Sequence, residues 1–196
     1  MKQELPILTI DGAYGGDQHW FRRPMMRLGG CSTVCACHLA AELALRDGKA
    51  GLYPYDGRAI TRTQFLRFAK RMYRFVHPSV RGMPETGLFE NAFSAYAASV
   101  GETVRYASLS GEAGAAKAEA FVRAAIDGGH TVQYLLLEHC APDIDDIEWH
   151  WFTVTGYDDA GGFDIFFSTW GERRRESLAK LWDTRKEEKG GLLTAD

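Results

Sequence analysis

The sequence has few of the residues that define special protein classes. Its 196 residues include only four cysteines and six prolines, and its net charge is −3. The 21 glycines follow no collagen-like period. No run approaches the roughly 20 apolar residues that cross a bilayer. A dedicated nucleic-acid binder normally carries a basic stripe, whereas the net charge of this chain is small and negative. We therefore expect a soluble globular protein that binds neither membranes nor nucleic acids.

What the chain does contain fits one domain. Hydrophobic residues make up 45% of it and aromatic residues 12%, enough for a sizeable core at this length. The first six residues lack the apolar stretch of a secretion signal, so we expect a cytoplasmic protein with reduced thiols. Three of the cysteines, Cys31, Cys35 and Cys37, fall within one predicted helix, where disulfides between them are geometrically unfavourable.

Hydrophobic periodicity divides the chain into a helical half and a strand-rich half. Apolar residues at helical spacing predict helices over 32–46, 61–77, 87–100 and 112–127; the second begins with the capping-box pattern Thr61-Arg62-Thr63-Gln64. Short apolar or β-branched runs predict strands over 5–10, 102–109, 131–138, 149–157 and 163–167, with a hairpin turn at 158–162. Residues 172–184 could add a strand and a short helix.

This order predicts an α+β fold rather than alternating βαβ units. The helical part covers about 1–101 and the sheet part about 102–185. We interpret 186–196 as a frayed, charged tail. The chain shows no firm domain boundary, so we expect a single domain.

Cys31 is the strongest candidate for a nucleophile. It follows Gly29-Gly30 at the start of a predicted helix, where unpaired N–H groups and the helix dipole favour a thiolate. The two glycines leave room for a substrate carbonyl, and the Cys31 N–H could stabilise an oxyanion.

A thiolate needs a base, and His150 has the most suggestive setting. It lies in an aromatic-flanked predicted strand; the alternative, and the commoner case for a lone histidine, is a structural histidine hydrogen-bonded at a strand edge. Ser168 follows across the predicted hairpin, so its hydroxyl could accept a hydrogen bond from the imidazole and fix its tautomer.

The segments around Cys31, His150 and Ser168 resemble the corresponding segments of the papain-like cysteine peptidase superfamily. Ser168-Thr169-Trp170-Gly171 is similar to papain's Asn-Ser-Trp-Gly, in which Asn orients the histidine and Trp shields that contact; the resemblance gives these roles to Ser168 and Trp170. Gly30 to Ala36 and His150 to Tyr157 are closer to bacterial branches such as bacteriocin-processing leader peptidases. The resemblance implies a papain-like fold, with the site between a helical and a sheet lobe.

The chain also departs from that pattern. Met25 stands where papain keeps its oxyanion-binding glutamine, and Gln18 could fill that role if residues 21–30 loop out. Asp164 is a second candidate for orienting His150. Asp17 and Trp20 lie close to Cys31 along the chain and are candidates for substrate binding.

The resulting hypothesis is a cysteine hydrolase that cleaves a peptide or amide bond without a cofactor or metal. Two alternatives use the same fold: a cysteine-dependent acyltransferase and a catalytically decayed binding module. A zinc site is a weaker alternative, because one helix cannot present Cys31, Cys35, Cys37 and His38 to one ion, and His139-Cys140 is the only distant pair. A calcium site in the acidic run 143–148 is disfavoured, because the run lacks EF-hand spacing. The oligomeric state is not indicated.

Overall fold

Helices dominate the first half of the chain and an antiparallel sheet the second, in a computed structural model that describes residues 1–79 and 81–196. The helices are α1 (Pro24–Gly29), α2 (Cys31–Asp47), α3 (Arg62–Met72), α4 (Thr86–Ser99), α5 (Ala115–Asp127) and α6 (Leu178–Trp182). The strands are β1 (Lys2–Glu4), β2 (Thr9–Ile10), β3 (Ala13–Tyr14), β4 (Ala59–Ile60), β5 (Tyr106–Ser110), β6 (Val132–Leu136), β7 (His150–Asp158), β8 (Asp164–Thr169), β9 (Glu172–Ser177) and β10 (Gly190–Ala195). The predicted α+β class is confirmed.

The large sheet runs in the order β5-β10-β6-β7-β8-β9, and β1 pairs with the end of β7 that β6 leaves uncovered. All these pairings are antiparallel. The register between β7 and β8 shifts between Val154 and Gly156, which marks a bulge. This shift later decides which side chain meets His150.

Both faces of the central strands are buried. Leu135 and Trp151 face one core, shared with α2, α3 and α4, while Tyr134 and Phe152 face another, shared with α5 and α6. Alternate side chains of a strand point to opposite faces, so a strand covered on both sides reads as a continuous apolar run. This explains why 132–137 shows no alternation.

The clearest predicted helix start is confirmed. Thr61 and Gln64 form a reciprocal capping box at the beginning of α3, which buries the face containing Phe65 and Phe68. The helix ends at Met72, earlier than predicted, and residues 73–76 continue as hydrogen-bonded turns.

The predicted frayed tail is wrong. Residues Gly190–Ala195 form β10, which lies between β5 and β6 and buries Leu192 and Leu193. A Cβ on Gly190 would lie 2.1 Å from the Leu135 carbonyl oxygen, so the glycines that suggested fraying instead allow the close approach of a central strand. Charge along 183–189 concealed this short apolar run.

Residues 5–30 are more ordered than the sequence indicated. The predicted strand over 5–10 shrinks to Thr9–Ile10, which joins a small sheet with β3 and β4. The glycine-rich segment 11–30, for which no element was predicted, holds a short 3-10 helix at Gln18–Trp20 and the six-residue α1. No described helix combines the length and apolarity needed to cross a bilayer.

Candidate active site

Cys31 is the first residue of α2, and the chain reaches it through a close turn at Gly30. A Cβ on Gly30 would lie 2.2 Å from the Met26 carbonyl oxygen and 2.8 Å from the Phe21 ring, so a larger residue would displace the turn. The Cys31 side chain is buried, although the residue borders two cavities. The first N–H groups of a helix have no partner within it, so they are available near the sulfur.

Burial outweighs the helix in setting the ionisation of Cys31. Backbone N–H groups of Trp151, Ser32 and Cys31 lower the pKa of the thiol, but removal from water raises that pKa by more. The expectation that the helix start favours a thiolate is therefore wrong for this closed arrangement. The resting group is a neutral thiol.

His150, the first residue of β7, is held on two sides. Its Nε2 lies 2.7 Å from the Thr169 hydroxyl oxygen, and the Trp170 ring covers it with centroids 4.8 Å apart. The covering role that the resemblance gave to Trp170 agrees with this contact. Burial lowers the pKa of His150 to about 3, so the resting imidazole is neutral.

Backbone strain surrounds this histidine. Trp149, directly before His150, has φ 51°, and Trp170, directly after Thr169, has the same value. A left-handed conformation in a bulky residue costs on the order of 1 kcal/mol or more and persists only when its surroundings impose it. Each of the two residues in the His150–Thr169 contact therefore has a strained tryptophan as its chain neighbour.

Thr169, and not Ser168, is the hydroxyl that meets His150. The Ser168 hydroxyl instead donates to the Tyr14 carbonyl oxygen at 2.7 Å. Neighbouring residues of a strand point to opposite faces, so only one of the two hydroxyls can face the imidazole. The prediction that Ser168 orients His150 is wrong by one residue.

The bulge explains the error. Ser168 borders the same small cavity as His150, but its cross-strand partner is Thr153, three residues past the histidine. A sequence gives the length of a hairpin but not the position of a bulge within it. Asp164, the second candidate, lies at the far end of β8 and pairs with Arg175 at 2.8 Å.

Cys31 and His150 line the same small cavity, of about 10 Å³, which is about the space of one water molecule. No hydrogen bond joins the two side chains within the described part of the chain; the Cys31 sulfur has its contact with the Gly29 carbonyl oxygen at 4.0 Å. The described residues show no hydrogen bond to Nδ1 of His150 either. Cys31 and His150 therefore border the same cavity without forming a hydrogen bond to each other.

Gln18 also lines this cavity, because residues 21–30 fold aside as α1. Its Nε2 donates to the carbonyl oxygens of Arg27 and Leu28, at 3.0 and 3.3 Å. Its Oε1 is buried without a hydrogen-bond partner among the described atoms. The predicted location is therefore supported, but the predicted role is not: both amide protons are engaged, and the unsatisfied atom is an acceptor.

His38 fixes the loop that carries Gln18, a contact that the sequence did not indicate. The Gly16 N–H donates to its Nε2 at 2.9 Å, and its Nδ1 lies 3.0 Å from the Thr153 hydroxyl. Since Nε2 accepts, Nδ1 carries the proton and donates. Burial lowers the pKa of His38 to about 3, which keeps it neutral.

Asp17 and Trp20 line neither cavity beside Cys31. Asp17 caps the 3-10 helix by accepting from the His19 backbone N–H at 2.8 Å. Trp20 packs edge-on against Phe65 and lies under the Arg62 guanidinium, 4.5 Å from its ring. These contacts are structural, so the substrate-binding role predicted for both residues finds no support in the geometry.

An open groove of about 380 Å³ adjoins Cys31 on its other side. Its lining is mostly apolar, and three of its large apolar side chains are well exposed: Leu28 (79%), Met25 (49%) and Trp149 (41%). Apolar clefts of this size are typical of ligand sites. No local sequence pattern indicates this groove, because its walls come from separate segments: Met25, Leu28, Gly29, Cys31, Pro78, Ser79, Arg81, Gly82, Met83, Pro84, Leu135, Leu137, Trp149 and Trp151.

The residues weighed as metal ligands have other contacts. All four cysteines are free, and only Cys140 is exposed. The His139 ring bonds the Lys180 carbonyl oxygen, and in the acidic run 143–148 Asp143 and Asp146 form ion pairs. Within residues 1–79 and 81–196, no group of three or more His, Cys, Asp or Glu side chains is arranged to hold a metal ion.

The chain was also compared with known proteins. No protein-family model matches it, and no curated protein matches it significantly.

Proposed function

We propose that this protein is a cysteine-dependent acyl-transfer enzyme with a papain-like arrangement, acting as a peptidase or amide hydrolase. One observation carries the proposal: Cys31, at the start of α2, and His150, held by Thr169 and covered by Trp170, line one cavity beside an open groove. A nucleophile, a base and a group that orients the base are the parts that such catalysis requires.

The proposed mechanism uses the Nε2–H tautomer of His150. In that tautomer Nε2, 2.7 Å from the Thr169 hydroxyl oxygen, donates to the hydroxyl, and Nδ1 is the acceptor that faces the reaction. The reaction starts from a neutral thiol and a neutral imidazole, because burial opposes an ion pair at rest. Nδ1 takes the thiol proton as the sulfur attacks a carbonyl carbon.

The following steps use the same groups. The main-chain N–H groups of Cys31 and Ser32, at the positive end of α2, stabilise the oxyanion of the tetrahedral intermediate. The imidazolium gives its proton to the leaving amine, which leaves an acyl group on the Cys31 sulfur. Water then adds to that thioester, and the acid and the free thiol are released.

The two sides of Cys31 suggest how a substrate lies. The apolar groove suits an apolar group next to the reacting carbonyl. The unsatisfied Oε1 of Gln18 suits a substrate N–H, since a buried acceptor without a partner costs about 1–3 kcal/mol. Together they favour an amide or peptide with an apolar residue at the reacting position.

Acyl capture by Cys31 tests the proposal directly. The protein is incubated with thioesters of N-acetyl-leucine and N-acetyl-phenylalanine and examined by intact-mass spectrometry. We expect a covalent acyl adduct on Cys31 that disappears with time, and none on the exposed Cys140. The same reaction with added amine separates hydrolysis from acyl transfer, because a transferase gives the amide as its main product. An adduct that never forms, or that forms equally on Cys140, would favour the decayed binding module.

Thr169 and Ser168 provide a matched pair of variants. Thr169→Val removes the hydrogen bond to His150, and we expect kcat to fall by about ten- to a hundredfold. Thr169→Ser should restore most of that loss. Ser168→Ala removes the bond to Tyr14 and should cost about 1 kcal/mol of stability while kcat stays close to wild type. Equal effects of Thr169→Val and Ser168→Ala on kcat would contradict the assignment.

A further inference from the structure

The small net charge conceals a strong separation of charge. Residues 20–79 contain eleven lysine and arginine residues but only three acidic ones, Glu42, Asp47 and Asp56. Of those eleven cations, only Arg46 forms an ion pair with a carboxylate among the described residues. Most cations from residue 81 onward, by contrast, pair with carboxylates, and Arg173, Arg174 and Arg175 all do so.

Five of these cations line a cleft of about 450 Å³ between α1 and α3. Arg67, Lys70, Arg71 and Arg74 follow one another at helical spacing along the face of α3 and its following turn that is opposite the buried face, and all four are exposed. Like charges three and four positions apart destabilise a helix by a few tenths of a kcal/mol per pair. The name basic cleft is used below for the surface formed by Arg23, Met26, Arg67, Lys70, Arg71, Tyr73 and Arg74.

The basic cleft and the apolar groove border the same helix. Met26 of α1 lines the cleft, whereas Met25 and Leu28 line the groove that contains Cys31. An α-helix with its side chains is about 10–12 Å across. An extended chain advances about 3.3 Å per residue, so about three or four residues would carry a bound polypeptide from one surface to the other.

We propose that the basic cleft binds an acidic segment of the polypeptide substrate, about three or four residues from the bond that Cys31 attacks. This inference rests on the proposed function, since it gives that site its substrate class. Carboxylates are the complement of exposed guanidinium and ammonium groups, and the cations of the basic cleft form no ion pair with a carboxylate among the described residues. A polypeptide is favoured over single-stranded nucleic acid because the one aromatic side chain of the cleft, Tyr73, already packs on His77 at 6.0 Å, whereas nucleic-acid binding uses open aromatic faces for stacking.

Binding is measured on the Cys31→Ala variant of the full chain, so that it does not depend on catalysis. The probe is a fluorescein-labelled peptide with five glutamates, three alanines and a leucine, followed by anisotropy; a second probe has the reverse order. The matched control has five glutamines. We expect at least one glutamate probe to bind about tenfold or more tightly than its glutamine counterpart, and the difference to shrink between 0.05 and 0.5 M NaCl.

Charge reversal locates the binding. Lys70→Glu/Arg74→Glu should remove the preference for glutamate, while Lys117→Glu/Lys186→Glu, which changes two exposed cations elsewhere, should keep it. Equal affinities for the glutamate and glutamine probes, or a preference that survives reversal of the cleft, would overturn the proposal. So would an oligo-dT probe that binds more tightly than either peptide and is lost on reversal, since the occupant would then be a nucleic acid. Failure of acyl capture by Cys31 leaves these results unchanged, so the two proposals fail separately.

Discussion

Replacing Cys31 with alanine is expected to reduce turnover by at least about 10⁴-fold, because the nucleophile is removed and no covalent intermediate can form. The fold should survive, since the change removes one buried sulfur and costs about 1 kcal/mol. Hydrolysis of the acyl substrates and the thermal midpoint measure the two effects.

The control for this variant is Cys140→Ala. Cys140 is the exposed thiol, so its loss tests whether adventitious thiol chemistry accounts for any turnover. We expect Cys140→Ala to keep the wild-type rate. Full activity in Cys31→Ala would move the chemistry to another residue and end the proposed mechanism.

Acidification from pH 7 to pH 4.5 is expected to destabilise the fold through two buried histidines. The pKa values of His38 and His150 are lowered from 6.5 to about 3 by burial. Between pH 6.5 and 3 the unfolded chain therefore binds protons that the folded chain does not, so stability falls as pH falls. Each histidine should contribute about 2–3 kcal/mol of loss at pH 4.5.

Glu42 acts in the opposite direction. Burial raises its pKa to about 7, so its contribution to stability is present at low pH and is lost as pH rises from 4.5 to 7. One such carboxyl offsets about one of the histidines, which leaves a net loss of about 2–3 kcal/mol for the three groups.

Urea denaturation at pH 7 and 4.5 separates these contributions. Glu42→Gln should increase the acid loss to about 5 kcal/mol, whereas His38→Gln should reduce it by about 2–3 kcal/mol. The comparison is made within each variant, so the lower overall stability of a core substitution cancels. A wild-type stability that is unchanged or higher at pH 4.5, together with an unaltered response in His38→Gln, would show that His38 is not buried in its neutral form.

Local sequence signals were sufficient for the elements with a self-contained pattern. Capping and periodicity predicted α3, and the aromatic run after residue 149 predicted β7. They failed at β10, because a central strand is stabilised by its neighbours and its own glycines and charged approach resemble a tail.

The candidate site was likewise predicted only in part. Cys31 after two glycines and His150 in an aromatic strand were visible in the sequence. Thr169 was not, because the bulge between Val154 and Gly156 sets the register of β7 and β8. The location of Gln18 beside Cys31 was predicted correctly. Its amide nitrogen, however, donates to carbonyl oxygens of α1, so the side chain offers the cavity an acceptor oxygen and not the predicted donor.

The sequence by itself determined the fold class, the thiol at a helix start and the histidine strand, because each follows from contacts within a short segment. Tertiary structure alone decided which hydroxyl meets His150, how burial sets the ionisation of Cys31 and where the groove and the basic cleft lie. These depend on strand register, on exclusion of water and on segments far apart in the chain, and none of the three is a property of a local pattern.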